Sequence, residues 1–454
     1  MALVRRRLAG LAELRRWLTP GIGIKRWLAV VFLGELGLAL GLAFVLRQVY
    51  RDVGLDEPVQ SIVSALTLQF LPYWIRATIL ASLGVGLFGF AAWKVVRVLT
   101  GPYRSDDEER PLVEVIYQKR FLARGPRIVA LGGGTGLSTL LRGLKEHTSN
   151  LTAVVTVADD GGSSGKLREQ LGVPPVGDIR NCIVALADAE SLMGRLLQYR
   201  FPGDDVPESL GGHAVGNLLI AAMTAVEGGD FEEGVRQMNR VLAVRGRVVP
   251  ASPTPLVLHA ALSDGTEVVG QSRIAATSGI ERVWLTPDGV DAAADAVSAI
   301  AEADVLVIGP GSLFTSVLPA LLLPQIRAAV LASPAPRIYV CNVATQVGET
   351  SGFDLADHVE ALERHASSGI VDVVLANNRT GTRAGPDRVG DGDPDAIRLR
   401  WPPTVERPPR LVLDDLADPD DPHHHDPARL AAAILHVAER DGATRRRGVV
   451  GRTA

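Results

Sequence analysis

Residues 126–147 read PRIVALGGGTGLSTLLRGLKEH: a short apolar run, a loop of Gly132, Gly133, Gly134, Thr135 and Gly136, and a stretch with helical periodicity. The same unit recurs. LTAVVTVA (151–158) leads to DDGGSSG (159–165); ADVLVIG (303–309) leads to PGS and then LFTSVLPALL; RIYVCNVA (337–344) leads to TQVGETSGF and then DLADHVEALERH. Strand, loop and helix in alternation predict a parallel sheet with helices on both faces, an α/β fold. In such sheets ligands sit at the carboxyl ends of the strands, where strand order reverses. The glycine-rich loops all fall at such ends.

Residues 245–285 interrupt the pattern. RGRVVPAS, LVLHAAL, EVVGQS and RVWLTP are β-rich around an Asp264-Gly265 turn, and predict a small antiparallel excursion at the sheet edge. From residue 378 to 426 the chain is rich in Pro, Asp and Arg with poor periodicity, predicting irregular structure before one last helix, ARLAAAILHVAER. The expected domain therefore runs over 125–377, followed by an irregular region at 378–454.

The first hundred residues differ in kind. WLAVVFLGELGLALGLAFVL (27–46) carries one ionisable side chain, Glu35, and ATILASLGVGLFGFAAW (77–93) continues through Val95 and Val96. Each is about long enough to cross a hydrocarbon core of roughly 30 Å as a helix. Basic residues precede the first run (Arg5, Arg6, Arg7, Arg15, Arg16, Lys25, Arg26) and follow the second (Lys94, Arg97, Arg104). The expectation is a basic segment at 1–25, a two-helix transmembrane hairpin at 26–97 (spans 27–46 and 77–96) and a linker at 98–124. Both termini and the main domain then lie on the cytoplasmic side of the inner membrane. Glu35 reads as an intramembrane acid or as a carboxylate tolerated between helices.

A formal net charge of −4 provides no global basic field for nucleic acid, so any anion site must be local. Cys182 and Cys341 are far apart in apolar surroundings and form no metal-spaced cluster, which suits buried thiols.

The loops offer specific chemistry. Gly132 to Gly136 presents backbone N–H groups at a helix start, suited to phosphate, although neither the dinucleotide fingerprint nor the P-loop spacing is met because Leu137 follows. Asp159 and Asp160 suit a divalent cation, a ribose or acid–base work, with Ser163 and Ser164 beyond them; an Asx turn is the structural alternative. In Gly177-Asp178-Ile179-Arg180-Asn181, Arg180 suits a phosphate; the alternative is Asp178 as a helix cap with Arg180 as its surface partner. Gly211 to Asn217 opens a helix with His213 as acid, base or donor, and Gly309, Gly311 and Ser312 repeat the phosphate-loop pattern. The catalytic candidates are Asp159, Asp160 and His213. His423 to His425, the acidic turn at 391–395 and Arg445 to Arg447 read as solvated segments.

Taken in order, IVALGGGTGLSTLLRGLK, LTAVVTVADDGGSSGKLR, GDIRNCIVALAD, LLQYRF, GGHAVGNLLIAAM, GPGSLFTSVLP and YVCNVATQVGET resemble the YvcK family, the gluconeogenesis factors of the CofD-like superfamily. The resemblance spans residues 126–377. It implies a Rossmann-like domain that binds a nucleotide sugar such as UDP-N-acetylglucosamine and supports cell shape and envelope synthesis during gluconeogenic growth. Envelope-synthesis proteins are the implied partners, a homo-oligomer is compatible, and nucleic acid is not expected. The CofD branch implies instead a magnesium-dependent transfer of a phospholactyl group from a nucleotide donor, with Asp159 and Asp160 at the cation or sugar and Asp178 and Asn181 lining the same cleft. The Gly-Asp-Ile-Arg-Asn form favours the YvcK branch. The tail departs from the family pattern: His424-His425-Asp426 stands where an Arg-His-Asp stretch is usual.

Overall fold

The computed structural model describes residues 122–187, 192–202, 210–378 and 396–450, with scattered positions between 32 and 90. The chain divides into two units, Met1–Arg120 and Phe121–Ala454.

In the second unit the strands are β1 (Ile128–Gly132), β2 (Leu151–Val155), β3 (Arg247–Pro250), β4 (Val257–Leu262), β5 (Glu267–Val269), β6 (Ile280–Thr286), β7 (Val305–Ile308), β8 (Arg337–Val340), β9 (Val373–Asn377) and β10 (Arg410–Asp414). The helices are α1 (Gly134–Leu144), α2 (Gly162–Leu171), α3 (Gly177–Leu186), α4 (Leu192–Gln198), α5 (Val215–Val226), α6 (Phe231–Val241), α7 (Gln271–Ala275), α8 (Ala294–Glu302), α9 (Leu318–Leu322), α10 (Pro324–Ala332), α11 (Leu355–His365) and α12 (Pro427–Val450). A π-helical turn, Leu313–Val317, leads into α9.

Seven strands form one parallel sheet in the order β10-β9-β8-β7-β1-β2-β3. The chain steps outward from β1 through β2 to β3, returns to β7 on the other side of β1, and steps outward again to β10. Strand order therefore reverses between β1 and β7, and the crevice at their carboxyl ends is the topological switch point. β1, β2 and β7 are buried at every residue, as strands covered on both faces must be, which explains their unbroken apolar runs. Leu137, Leu140, Leu141 and Leu144 form the buried face of α1. On another side of α1, Gly143 lets α12 approach: a Cβ there would overlap the Pro427 carbonyl.

Two expectations are corrected. RGRVVPAS does not belong to the antiparallel excursion, because β3 pairs in parallel with β2 and extends the main sheet. Only β4, β5 and β6 form the small antiparallel sheet, in the order β5-β4-β6. Its Asp264-Gly265 turn is present: Gly265 adopts φ 83°, and the Asp264 carboxylate accepts from Thr266 N–H at 2.8 Å. The tail is also more regular than its composition implied. β10 pairs in parallel with β9, and α12 packs on α1. The acidic turn at 391–395 lies outside the described residues.

Most of both expected membrane spans, with the linker and the basic amino-terminal segment, also lies outside the described residues. Among the described residues, no single helix is long and apolar enough to cross a membrane. Within the first unit the Phe32 and Phe88 rings meet edge to face at 6.1 Å.

Candidate functional site

The glycine loops after β1 and β7 lie against each other across the switch point. A Cβ on Gly136 would stand 2.7 Å from the Pro310 carbonyl oxygen, and one on Gly311 would stand 3.2 Å from the Gly133 carbonyl oxygen. Glycine is needed here for backbone-to-backbone approach, and Gly134 (φ 67°) and Gly309 (φ 76°) also need its left-handed freedom. Asn342, just after β8, fixes Gly311 by accepting from its N–H at 3.2 Å and donating to its carbonyl at 3.0 Å. Ser312 donates to Gln346.

Both helix starts at this floor already hold a carboxylate of the chain. Asp178, in the first turn of α3, accepts from the Gly134 N–H; burial, with Asp159 nearby, pushes it up to about 6. Asp178 is thus neither a cap of its own helix nor paired with Arg180 in an ion pair. Glu349, 1% exposed, accepts from the N–H groups of Phe314 and Thr315, and from Thr315 Oγ1 at 2.9 Å. Burial raises it to about 7 against those three donors.

Asp159 and Asp160 point to different neighbours. Asp159 accepts from Gly161 N–H at 2.9 Å, the Asx turn, and its carboxylate is also bonded by Ser164, whose Oγ in turn accepts from Gly177 N–H at 3.0 Å. Burial raises Asp159 above the usual carboxylate range. Asp160 is exposed and accepts from Ser272 N–H at 2.8 Å, which ties α7 of the small sheet to this loop. Asp159 feels the charge of Asp160 and in turn raises the buried Asp178. Among the described residues no group of three or more His, Cys, Asp or Glu side chains is set to hold a metal.

A polar chain crosses from α3 to α5. Arg180 donates to Asn217 Oδ1 at 3.1 Å and to Asn181 Oδ1 at 2.9 Å, while its buried Nε–H has no partner. With its oxygen facing Arg180, the Asn217 amide donates to Ser163 Oγ at 3.0 Å. Ser163 Oγ also accepts from Ala214 N–H at 3.4 Å, so its single hydrogen goes to His213 Nδ1 at 3.1 Å. That bond makes Nδ1 an acceptor and leaves the hydrogen on Nε2. Burial, then Lys166 and Arg200, lower the His213 pKa, so the ring is a neutral donor at pH 7 and not a charged acid. Ser163 thus links Asn217, the Ala214 backbone and the His213 ring in one buried network.

Lys166 and Arg200 donate to the carbonyls of Gly211 and Gly212 in the loop before His213. The pairing of Arg200 with Ala214 holds that arginine beside the loop. Lys166, Arg200, Asn342 and Glu349 stood in the quoted stretches without a role. Lys166 and Arg200 follow motif residues, but only the folded chain shows what they face. At the tail, His423 and His424 are exposed, whereas His425 is buried and bonded to the Cys341 carbonyl at 3.2 Å, at the carboxyl end of β8. A cavity of about 340 Å³ opens at the other end of the sheet, between Arg127, Asn150 and Arg247, away from these residues.

Comparisons with known proteins identify the family and agree with the fold. Residues 128–388 match the family described as 2-phospho-L-lactate transferase CofD. A relative from Nostoc sp. is 42% identical over 424 residues, 92% of this chain and 91% of its own. The Gluconeogenesis factor of Bacillus subtilis is 46% identical over 297 residues, 65% of this chain and 88% of its own. The crystal structure of a UPF0052-family protein from Bacillus halodurans superimposes with a TM-score of 0.62 at 42% identity, over 68% of this chain and 99% of that one. The chain belongs to the CofD family, among the gluconeogenesis factors.

Proposed function

We propose that this protein binds a nucleotide sugar of the UDP-N-acetylglucosamine type over the carboxyl ends of β1 and β7, and regulates cell shape and envelope synthesis during gluconeogenic growth. The observation that carries the reading is the bare backbone at the switch point, flanked by Asp159 as a hydroxyl acceptor and by Arg180 with a buried donor unspent. Regulation is favoured over catalysis because the residues that could act chemically are committed. Ser163 is buried in the network that fixes the His213 ring, His213 is a neutral donor, and Asp160 holds α7. Placement at the cytoplasmic face of the inner membrane is part of the reading. It is supported by exposed Phe32, Leu36, Trp74, Leu83 and Phe90 in the first unit, a set of apolar side chains that lipid would cover.

A second reading is a CofD-like transferase of a phospholactyl or related group, with magnesium. The pair Asp159 and Asp178 favours it, since two nearby carboxylates could share a divalent cation. Titration calorimetry of the full-length protein in detergent, with UDP-N-acetylglucosamine and with GTP, each with and without magnesium, separates the two. Tight UDP-sugar binding with the ligand recovered intact is the expected result. Turnover, or binding of a guanosine nucleotide only with magnesium, contradicts it in favour of the transferase.

A further inference from the structure

At each of the two helix starts that the sequence offers to phosphate, a carboxylate of the chain already holds backbone N–H groups. The Gly134 N–H holds Asp178, and those of Phe314 and Thr315 hold the buried Glu349. A phosphate arriving at either would meet a carboxylate first.

Three cations on the neighbouring elements are in the opposite condition. Lys166 on α2, Arg180 on α3 and Arg200 after α4 bond only to neutral oxygens: Gly211 O, the Asn217 and Asn181 amides, and Gly212 O. None of the three forms an ion pair among the described residues, whereas Arg127, Arg236, Arg337, Arg400 and Arg429 each do. They also act on one another. Arg180 is lowered by burial and by Arg200, against the pull of Asp178 and Asp159, and His213 is lowered by burial, Lys166 and Arg200. Asp178 and Asp159 offset the Arg180 charge in part, but no carboxylate is ion-paired with any of the three among the described residues, so an arriving anion would relieve the repulsion around this loop. Arg180 uses two of its five N–H donors, and the unpartnered Nε–H is buried.

We propose that Lys166, Arg180 and Arg200, around the Gly211–His213 loop, form the subsite for the diphosphate of the ligand, and that the glycine loops supply clearance and not the anion contacts. The proposal rests on the nucleotide reading given above, which it sharpens by assigning the charged part of the ligand.

The test uses full-length protein in detergent, titrated with inorganic pyrophosphate, uridine and UDP, for wild type and for Lys166→Gln, Arg180→Gln and Arg200→Gln. The subsite predicts that pyrophosphate binds wild type and competes with UDP. It predicts that Arg180→Gln weakens UDP about tenfold or more, as loss of charge-assisted bonds should. Lys166→Gln and Arg200→Gln, at exposed positions, should each weaken UDP severalfold without altering uridine affinity, and they keep the test decisive if Arg180→Gln fails to fold. If UDP binds wild type and the variants equally, the subsite is overturned while the nucleotide reading stands. If pyrophosphate binds and the variants lose it but no uridine compound binds, the subsite stands and the uridine reading falls. Failure of wild type to bind either pyrophosphate or UDP overturns both.

Discussion

Replacing Glu349 by Gln keeps the shape of the side chain and removes its charge. The amide oxygen can still accept from Phe314 and Thr315 N–H, and the amide nitrogen can donate to Thr315 Oγ1, so packing is preserved. What changes is the proton linkage. Burial raises Glu349 from an ordinary 4.5 to about 7 in the folded protein, so between those values the native state holds a proton that the unfolded chain has released. The stability this confers is full below pH 4.5 and is lost as pH rises through about 7. At about 1.4 kcal/mol per unit, the loss is about 3 kcal/mol. Asp178 titrates in part of the same window, but it is present in both proteins and cancels in the difference. Urea denaturation of wild type and Glu349→Gln, followed by circular dichroism from pH 4.5 to 8, should show wild type losing about 3 kcal/mol relative to the variant across the range. Parallel curves would mean that the carboxylate is ionised throughout, and would refute the picture of a carboxylate forced into an apolar helix start.

Three further outcomes follow from the geometry. Asp160→Ala should cost about 1 kcal/mol by releasing the start of α7 yet leave ligand affinity near wild type, whereas Asp159→Ala should lower affinity at least severalfold; calorimetry and thermal melts on the same samples separate the two effects. Gly136→Ala places a methyl 2.7 Å from the Pro310 carbonyl and should destabilise by about 2 kcal/mol or more while abolishing ligand binding, read by denaturant titration and calorimetry. His425 is lowered from 6.5 to about 4 by burial, so its contribution is present above pH 6.5 and disappears as pH falls through 4, about 3 kcal/mol in all. A His425→Gln variant should lack that acid sensitivity in denaturation curves taken between pH 7 and 4.

The parallel sheet was legible because β1, β2 and β7 are covered on both faces and so carry unbroken apolar runs before bare glycine loops. β10 was not, because at a sheet edge only part of RLVLD is covered, and composition there resembles a loop. β3 misled for a related reason: four residues flanked by β-rich segments show no sign of which sheet they join, and only the parallel register with β2 decides it. In the site, the residue types were evident and the directions of their side chains were not. Adjacent Asp159 and Asp160 point to different elements, and Asp178 and Glu349 fill helix starts distant in sequence. Such assignments depend on contacts between elements, which a linear pattern does not contain.

A crystal structure of the protein grown with UDP-N-acetylglucosamine would locate the ligand outright. The nucleotide sugar is expected over the carboxyl ends of β1 and β7, its diphosphate within hydrogen-bond distance of Arg180 and its hydroxyls near Asp159. Ligand found instead at the amino ends of the strands, in the cavity between Arg127 and Arg247, would contradict it.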